Sequence, residues 1–219
     1  MKKTILFCVA ICVTYSVFSQ SNVSVFFGQT QSKFNYKNSE GVSDLKFRTQ
    51  FRSSYGLSYV SVFNSGVFIR PGIGFNHLGA VSDLYSEKLD WSLRYVDFNL
   101  GVGYIKRFGV IAPFVGASPY VSYLYSATQT VGADEYDLIS SKLIRENDYG
   151  FNVFGGVKYL FTEAVSVYVE VKTTTGLMQL ETNIEEGDKQ ELYNRAVSFQ
   201  FGISFNMVNK KRSRFKSNF

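Results

Sequence analysis

The sequence contains little cysteine, proline or histidine. Its 219 residues include 2 cysteines, 3 prolines and 1 histidine. Both cysteines, Cys8 and Cys12, lie in an apolar segment at the N-terminus. Removal of that segment would leave no thiol, which excludes disulfide frameworks, cysteine nucleophiles and cysteine metal ligands. Beyond residue 20 no run approaches eighteen consecutive apolar residues, so no transmembrane helix is expected there.

The two ends of the chain differ from the part between them. Residues 1–19 are predicted to be a cleaved signal peptide, because Lys2 and Lys3 precede an apolar segment and small residues lead to a cut before Gln20. The alternative is a retained N-terminal helix. Residues 20–208 suit one domain, and residues 209–219 form a basic tail predicted to lie in the periplasm.

The positive net charge comes from these ends rather than from the predicted domain. The chain has 23 Lys and Arg against 18 Asp and Glu. Without Lys2, Lys3 and the five cations of the tail, 16 positive residues oppose 18 negative ones. A slightly acidic domain does not predict a nucleic-acid partner. The tail either contacts anionic headgroups or is a disordered segment.

Apolar and polar residues alternate with a period of two along most of the chain, which is typical of β-strands. Strands with this alternation cross a bilayer when they are tilted and about nine to eleven residues long. The eight segments lie within residues 23–28, 51–59, 67–76, 95–104, 114–125, 149–159, 165–172 and 197–207.

The connections between these segments alternate between short and long. Short turns are predicted at residues 64–66, 107–109 and 161–163, and long polar loops at residues 37–49, 77–91, 127–148 and 177–194. An even number of strands with this pattern is typical of bacterial outer-membrane proteins. The fold class is therefore predicted as all-β, an eight-stranded antiparallel up-and-down transmembrane β-barrel. A soluble barrel or sandwich is the alternative.

The two faces of the strands differ in a way that suits a membrane barrel. One face carries Val, Ile, Leu and Phe, which suits lipid, whereas the other carries Gly, Ser and Asn, which suits a narrow interior. Aromatic residues near the strand ends are predicted to form two interfacial belts. The predicted belt residues are Tyr59, Trp91, Tyr104, Tyr123, Tyr125, Tyr149, Tyr159 and Phe205.

Charged residues on the inner face are predicted to form a network in the lumen. An unpaired ion in such a space costs several kcal/mol, so these groups are expected to pair. Either a structural plug or a regulated pore fits this pattern, with Glu170 at its centre. The six residues are Arg52, Arg70, Asp97, Lys158, Glu170 and Lys172.

Two outward arginines at the upper rim, Arg94 and Arg195, are candidates for lipopolysaccharide phosphate contacts, because a guanidinium group suits phosphate oxygens. Snorkelling to water is the alternative. The acidic residues of the last long loop suggest Ca²⁺ binding or a solvated tip, and no metal site is predicted from them. His77 has no nucleophile motif near it, so the chain is not predicted to be an enzyme, and no cofactor is expected.

Five segments resemble a known family. LRYVDFNLGVGYIKRFG, APFVGASPYVSYL, YGFNVFGGVKYLF, VYVEVKTTTGLMQL and NRAVSFQFGISF are similar to strands of the outer membrane protein β-barrel domain family, the porin-like, PorT-like group of Bacteroidota. Asn99 and Leu100 depart from it where such sequences often have Pro-Leu.

The resemblance implies an outer-membrane location, but it says almost nothing about function. We expect a structural or binding role, in envelope integrity, adhesion or display of partner-binding loops. A component or assembly factor of a protein-secretion apparatus is the alternative, and a narrow porin is a third. The expected partners are outer-membrane lipid and lipopolysaccharide, the barrel-assembly machinery, and a protein at the extracellular loops.

Overall fold

The computed structural model describes residues 20–37, 47–84, 87–181 and 191–207. The predicted signal peptide, the predicted tail and most of the acidic loop lie outside these residues. The strands are β1 (Gln20–Lys37), β2 (Phe47–Arg48), β3 (Gln50–Val62), β4 (Val67–Leu84), β5 (Glu87–Ile105), β6 (Ile111–Val131), β7 (Asp134–Asp137), β8 (Asn147–Leu160), β9 (Val165–Gly176) and β10 (Glu191–Asn206).

Eight of the ten strands close into a barrel. Each of β1, β3, β4, β5, β6, β8, β9 and β10 pairs antiparallel with the next one, and β10 returns to pair with β1. Following the paired residues once around the barrel from Val197 leads to Met207, ten residues further along β10. This stagger tilts the strands, as barrel closure requires. The predicted fold class is confirmed.

No helix among the described residues is long and apolar enough to cross a membrane.

Three tight turns join the strands at the end of the barrel where β1 begins and β10 ends. In the turn after β3 Gly66 has φ of 87°, and in the turn after β5 Gly109 has φ of 61°. Both lie in the left-handed region that glycine tolerates. The Thr162 hydroxyl accepts hydrogen bonds from two backbone N–H groups in the turn after β8.

The opposite end differs from the prediction, because two of the expected long loops are largely β-hairpins. The β4–β5 pair continues to Leu84 opposite Glu87, so residues 77–84 and 87–91 are strand rather than loop. In the next connection β6 extends to Val131 and pairs with β7. The ends of these strands are rich in polar and acidic residues, which are common in loops. The sequence therefore predicts loops where the structure has strands.

The seam between β1 and β10 is held by small polar groups inside and aromatic rings outside. In the lumen the Ser24 and Ser204 hydroxyls lie 2.7 Å apart, and the Thr30 and Ser198 hydroxyls lie 2.8 Å apart. On the exterior the Phe27 and Phe201 rings pack edge to face, 5.8 Å between centroids. The aromatic final strand therefore faces lipid, as its alternation predicts.

Candidate functional site

The exterior of the barrel is apolar where lipid would contact it. The exposed large side chains include outward Val, Leu, Ile, Phe and Tyr residues from all eight barrel strands. Seven of the predicted belt residues are among them: Tyr59, Tyr104, Tyr123, Tyr125, Tyr149, Tyr159 and Phe205. An exposed apolar surface of this extent suits hydrocarbon rather than water.

The placement of Trp91 in the outer belt is wrong. Its ring packs against the buried cluster at the upper end of the lumen and meets Phe34 edge to face, 6.0 Å between centroids. Because β5 begins at Glu87, Trp91 lies within the strand, on the same face as the buried Leu93 and Tyr95. The misplacement follows from treating residues 77–91 as a loop.

The lower third of the lumen is filled by rings, which we call the aromatic layer: Phe68, Phe114, Phe154 and Tyr168, with Val60 beside them. Centroids of neighbouring rings lie 6.1 to 6.5 Å apart. All five side chains are buried. Aromatic pairs at such separations are favourable beyond the area that they bury.

Glycines on the inner face make room for these rings. A Cβ atom at Gly202 would lie 2.2 Å from the Tyr168 ring, and one at Gly156 would lie 2.7 Å from the Phe114 ring. Each ring thus lies against the bare backbone of a neighbouring strand. The glycines of the inner face, which the sequence predicts, therefore provide the space that the rings of the aromatic layer occupy.

Above the aromatic layer lies a charged layer centred on an ion pair across the lumen. The Arg70 guanidinium donates to both carboxylate oxygens of Glu170, at 2.5 and 3.2 Å. Arg70 also lies over the Phe154 ring, 3.8 Å from its centroid, and so joins the two layers. The primary partner of Glu170, the centre of the predicted network, therefore comes from β4.

The other groups of the charged layer are held by amides and by each other. Lys158 donates to the Asn22 side chain at 3.4 Å. Lys172 interacts electrostatically with both Asp97 and Glu170, and Asp97 accepts a hydrogen bond from Asn76. Five of the six predicted lumen charges therefore lie in this layer.

Asp148 is a further member of the layer that the sequence analysis missed. It is 1% exposed and accepts hydrogen bonds from Asn194 at 2.9 Å and Tyr120 at 3.3 Å. The sequence prediction puts it at the end of a long loop, whereas the structure shows that it continues the inward alternation of β8. With Asp148 included, the layer holds three basic side chains (Arg70, Lys158, Lys172) and three acidic ones (Asp97, Asp148, Glu170).

The sixth predicted member, Arg52, does not belong to the charged layer. It pairs instead with Asp90 at 2.8 Å, and both side chains are partly exposed. Gln50 donates to the same carboxylate at 2.9 Å. Asp90 lies in the part of β5 that the sequence predicts to be a loop, so the sequence does not predict this ion pair. The pair lies towards the extracellular mouth.

The mouth itself is closed by a second apolar cluster, which we call the apolar cap. In this cluster, side chains from the extracellular ends of the strands pack against Leu138, Ile144 and Leu180, which lie in the connections between strands. Leu180 is fully buried. The backbones of Ile144 and Glu181 form a β-bridge that joins the β7–β8 connection to the β9–β10 connection. Burial raises the pKa of the Glu181 carboxyl. The members are Phe34, Leu78, Ala80, Leu93, Tyr95, Leu124, Ala127, Leu138, Ile144, Leu180, Leu192 and Ala196.

The two predicted rim arginines, Arg94 and Arg195, are exposed on the exterior of β5 and β10. Arg94 pairs in register with His77, whose Nε2 lies 2.8 Å from the Ser92 hydroxyl. His77 therefore belongs to the outer surface. No group of three or more potential metal ligands occurs in the part of the chain that the structure describes.

Several solved outer-membrane proteins are similar in structure to this chain. OprG of Pseudomonas aeruginosa is 11% identical, with a TM-score of 0.52 over 87% of this chain and 97% of that one. Neisserial surface protein A is 13% identical, with a TM-score of 0.49 over 84% and 96% of the two chains. A major outer membrane protein of Thermus thermophilus is 14% identical, with a TM-score of 0.47 over 84% and 99%.

The chain matches no protein-family model and no curated protein. The fold and the apolar exterior nevertheless define the class: a small β-barrel of the bacterial outer-membrane type. The predicted outer-membrane location is confirmed at this level. Membership of the PorT-like group, and with it a part in a secretion apparatus, stays a prediction.

Proposed function

We propose that this protein is a non-conducting anchor in the outer membrane, with a structural or binding role carried by a folded extracellular part. The observation that carries this proposal is the filling of the lumen at three levels. The aromatic layer, the charged layer and the apolar cap follow one another along the barrel. An ion or solute would have to displace all three to pass.

The space that remains in the lumen is small. Two cavities border Arg70, one lined mainly by the aromatic layer and one mainly by the charged layer, each with about 20 Å³ of free volume. A volume of this size holds about one water molecule. Narrow porins need a continuous aqueous path, so the packing argues against the porin alternative.

The extracellular part supports a binding role because it is folded and carries exposed apolar groups. The β4–β5 hairpin and the β6–β7 hairpin project on this side. Tyr136 of β7 and Leu143, which follows this hairpin, are 53% and 46% exposed. Tyrosine is enriched at protein interfaces relative to the rest of the surface.

Conductance across a planar bilayer tests the anchor proposal. Purified protein should give no stepwise currents, and Glu170→Ala should be equally silent, because the aromatic layer and the cap still fill the lumen. A porin reconstituted in the same way provides the positive control. Steady single-channel currents from the wild type would refute the proposal.

Binding by the extracellular part is tested separately with Tyr136→Ser/Leu143→Ser, displayed on cells that lack the protein. We expect weaker attachment to host matrix or partner cells than with the wild type, at equal surface amounts. Val110→Ser, which changes an exposed apolar residue at the opposite end of the barrel, is the matched control. Equal attachment by all three would leave only the structural role.

A further inference from the structure

Two exposed cations face each other on the outer surface of the seam. Lys33 of β1 and Arg195 of β10 are direct partners in the register, and both side chains are exposed. Like charges in this arrangement repel and destabilise a strand pair. The ion pairs recorded among the described residues involve neither of them. A bound anion would remove this repulsion.

The pair lies at the level where lipid headgroups begin. Arg195 precedes the lower-belt residue Phe205 by ten positions on β10. At about 3.3 Å per residue and a tilt of about 40°, ten residues cover about 25 Å along the barrel axis. The apolar band of such barrels is also about 25 Å tall. Lys33 and Arg195 therefore lie just above the hydrocarbon, at the extracellular rim.

The surroundings suit a phosphorylated lipid. Thr175 of β9 is opposite Arg195 and adds a hydroxyl donor beside the two cations. Below them, Phe199 and Phe151 are 57% and 52% exposed on the exterior and offer an apolar surface to acyl chains. Guanidinium, ammonium and hydroxyl groups together satisfy the oxygens of a phosphate.

We propose that Lys33 and Arg195 bind a phosphate group of lipid A, the phosphorylated glycolipid of the outer leaflet. This proposal does not depend on whether the lumen conducts. Arg94, on another face of the barrel, lacks a second permanent cation because its cross-strand partner is His77, which contacts Ser92. Among the cross-strand pairs of the described strands, two cations are direct partners at the seam, where Lys33 is opposite Arg195.

Lipid binding to the delipidated full-length protein in detergent, followed by native mass spectrometry, tests the site. Lys33→Gln/Arg195→Gln should weaken binding of bisphosphorylated lipid A about 30-fold, equivalent to about 2 kcal/mol, because two favourable charge contacts are lost. The matched control is Lys106→Gln/Arg107→Gln, which removes two exposed cations from a turn at the opposite rim and should bind as the wild type does. Lys33→Arg should also retain binding.

The remaining measurements identify the ligand. Dephosphorylated lipid A should bind the wild type as weakly as bisphosphorylated lipid A binds the double variant. The proposal is overturned if the double variant binds lipid A as well as the wild type does. Equal affinity for phosphatidylglycerol, or for inorganic phosphate alone, would also overturn the assignment to lipid A. The heat-dependent mobility shift of folded barrels on gels confirms that each variant is folded.

Discussion

Replacing Glu170 by leucine removes the anion on which the charged layer is centred. Its side chain is 1% exposed and accepts two hydrogen bonds from Arg70. Removing one partner of a buried ion pair costs about 3–5 kcal/mol, because the remaining charge stays buried. After the change Arg70, Lys158 and Lys172 face two carboxylates instead of three. We therefore expect a loss near the upper end of that range.

The structure also predicts that the two halves of the ion pair are unequal. Arg70→Met leaves Glu170 with Lys172, which already interacts with it, so this change should cost less than Glu170→Leu. The double variant replaces both ions by apolar side chains and should lose far less than the sum of the single variants, since such replacements are often nearly neutral.

Urea unfolding in phospholipid vesicles, followed by tryptophan fluorescence, measures these free energies. The four proteins form a double-mutant cycle, in which a coupling of several kcal/mol is expected. Glu163→Leu, an exposed turn residue, is the control and should change stability by less than about 0.5 kcal/mol. If Glu170→Leu behaves like Glu163→Leu, or if the single effects simply add, the ion pair does not organise the lumen as described.

Three further predictions test the placement of other residues. Trp91, the single tryptophan, should be poorly quenched by brominated lipids, whereas Tyr123→Trp in a Trp91→Phe background should be quenched strongly; the reverse result would place Trp91 in the belt. Phe154→Ala should lose about 3–5 kcal/mol of unfolding free energy, and lipid-facing Phe151→Ala only about 1 kcal/mol, so similar losses would contradict the inside–outside assignment. Gly202→Val should prevent folding into a heat-modifiable barrel, because the Tyr168 ring occupies the space of its side chain; normal folding would show that the ring can move away.

The eight strands were predictable because alternation directly reflects which side of the wall each residue faces. The same signal extends into residues 78–84 and places Trp91 and Asp148 correctly once it is followed to the strand ends. The predicted strands end too early at this side because Ser82, Asp83 and Asp90 are residue types that are common in loops. A polar residue at a strand end carries little information about secondary structure.

The partner of Glu170 could not be found by the same reasoning. Arg70 is 100 positions away along the chain, and its strand is not a neighbour of β9 in the sheet. Which side chains meet across the lumen depends on the stagger of the whole barrel. Alternation gives the face of each residue but not its height on the axis. The match between rings and glycines depends on the same stagger.

The distribution of lumen charges bears on how the barrel closes. Described inward side chains of β1 and β10 are neutral, and the ions belong to β3, β4, β5, β8 and β9. Because Arg70 and Glu170 both lie on strands away from these two edges, they can pair across a curled sheet whose edges have not yet met. The final zipping of the edges brings together hydroxyls such as Ser24 with Ser204 and Thr30 with Ser198. These hydroxyls replace hydrogen bonds to water by hydrogen bonds to each other, which costs little free energy. The last strand pair to form is therefore the one whose inner side chains are easiest to desolvate.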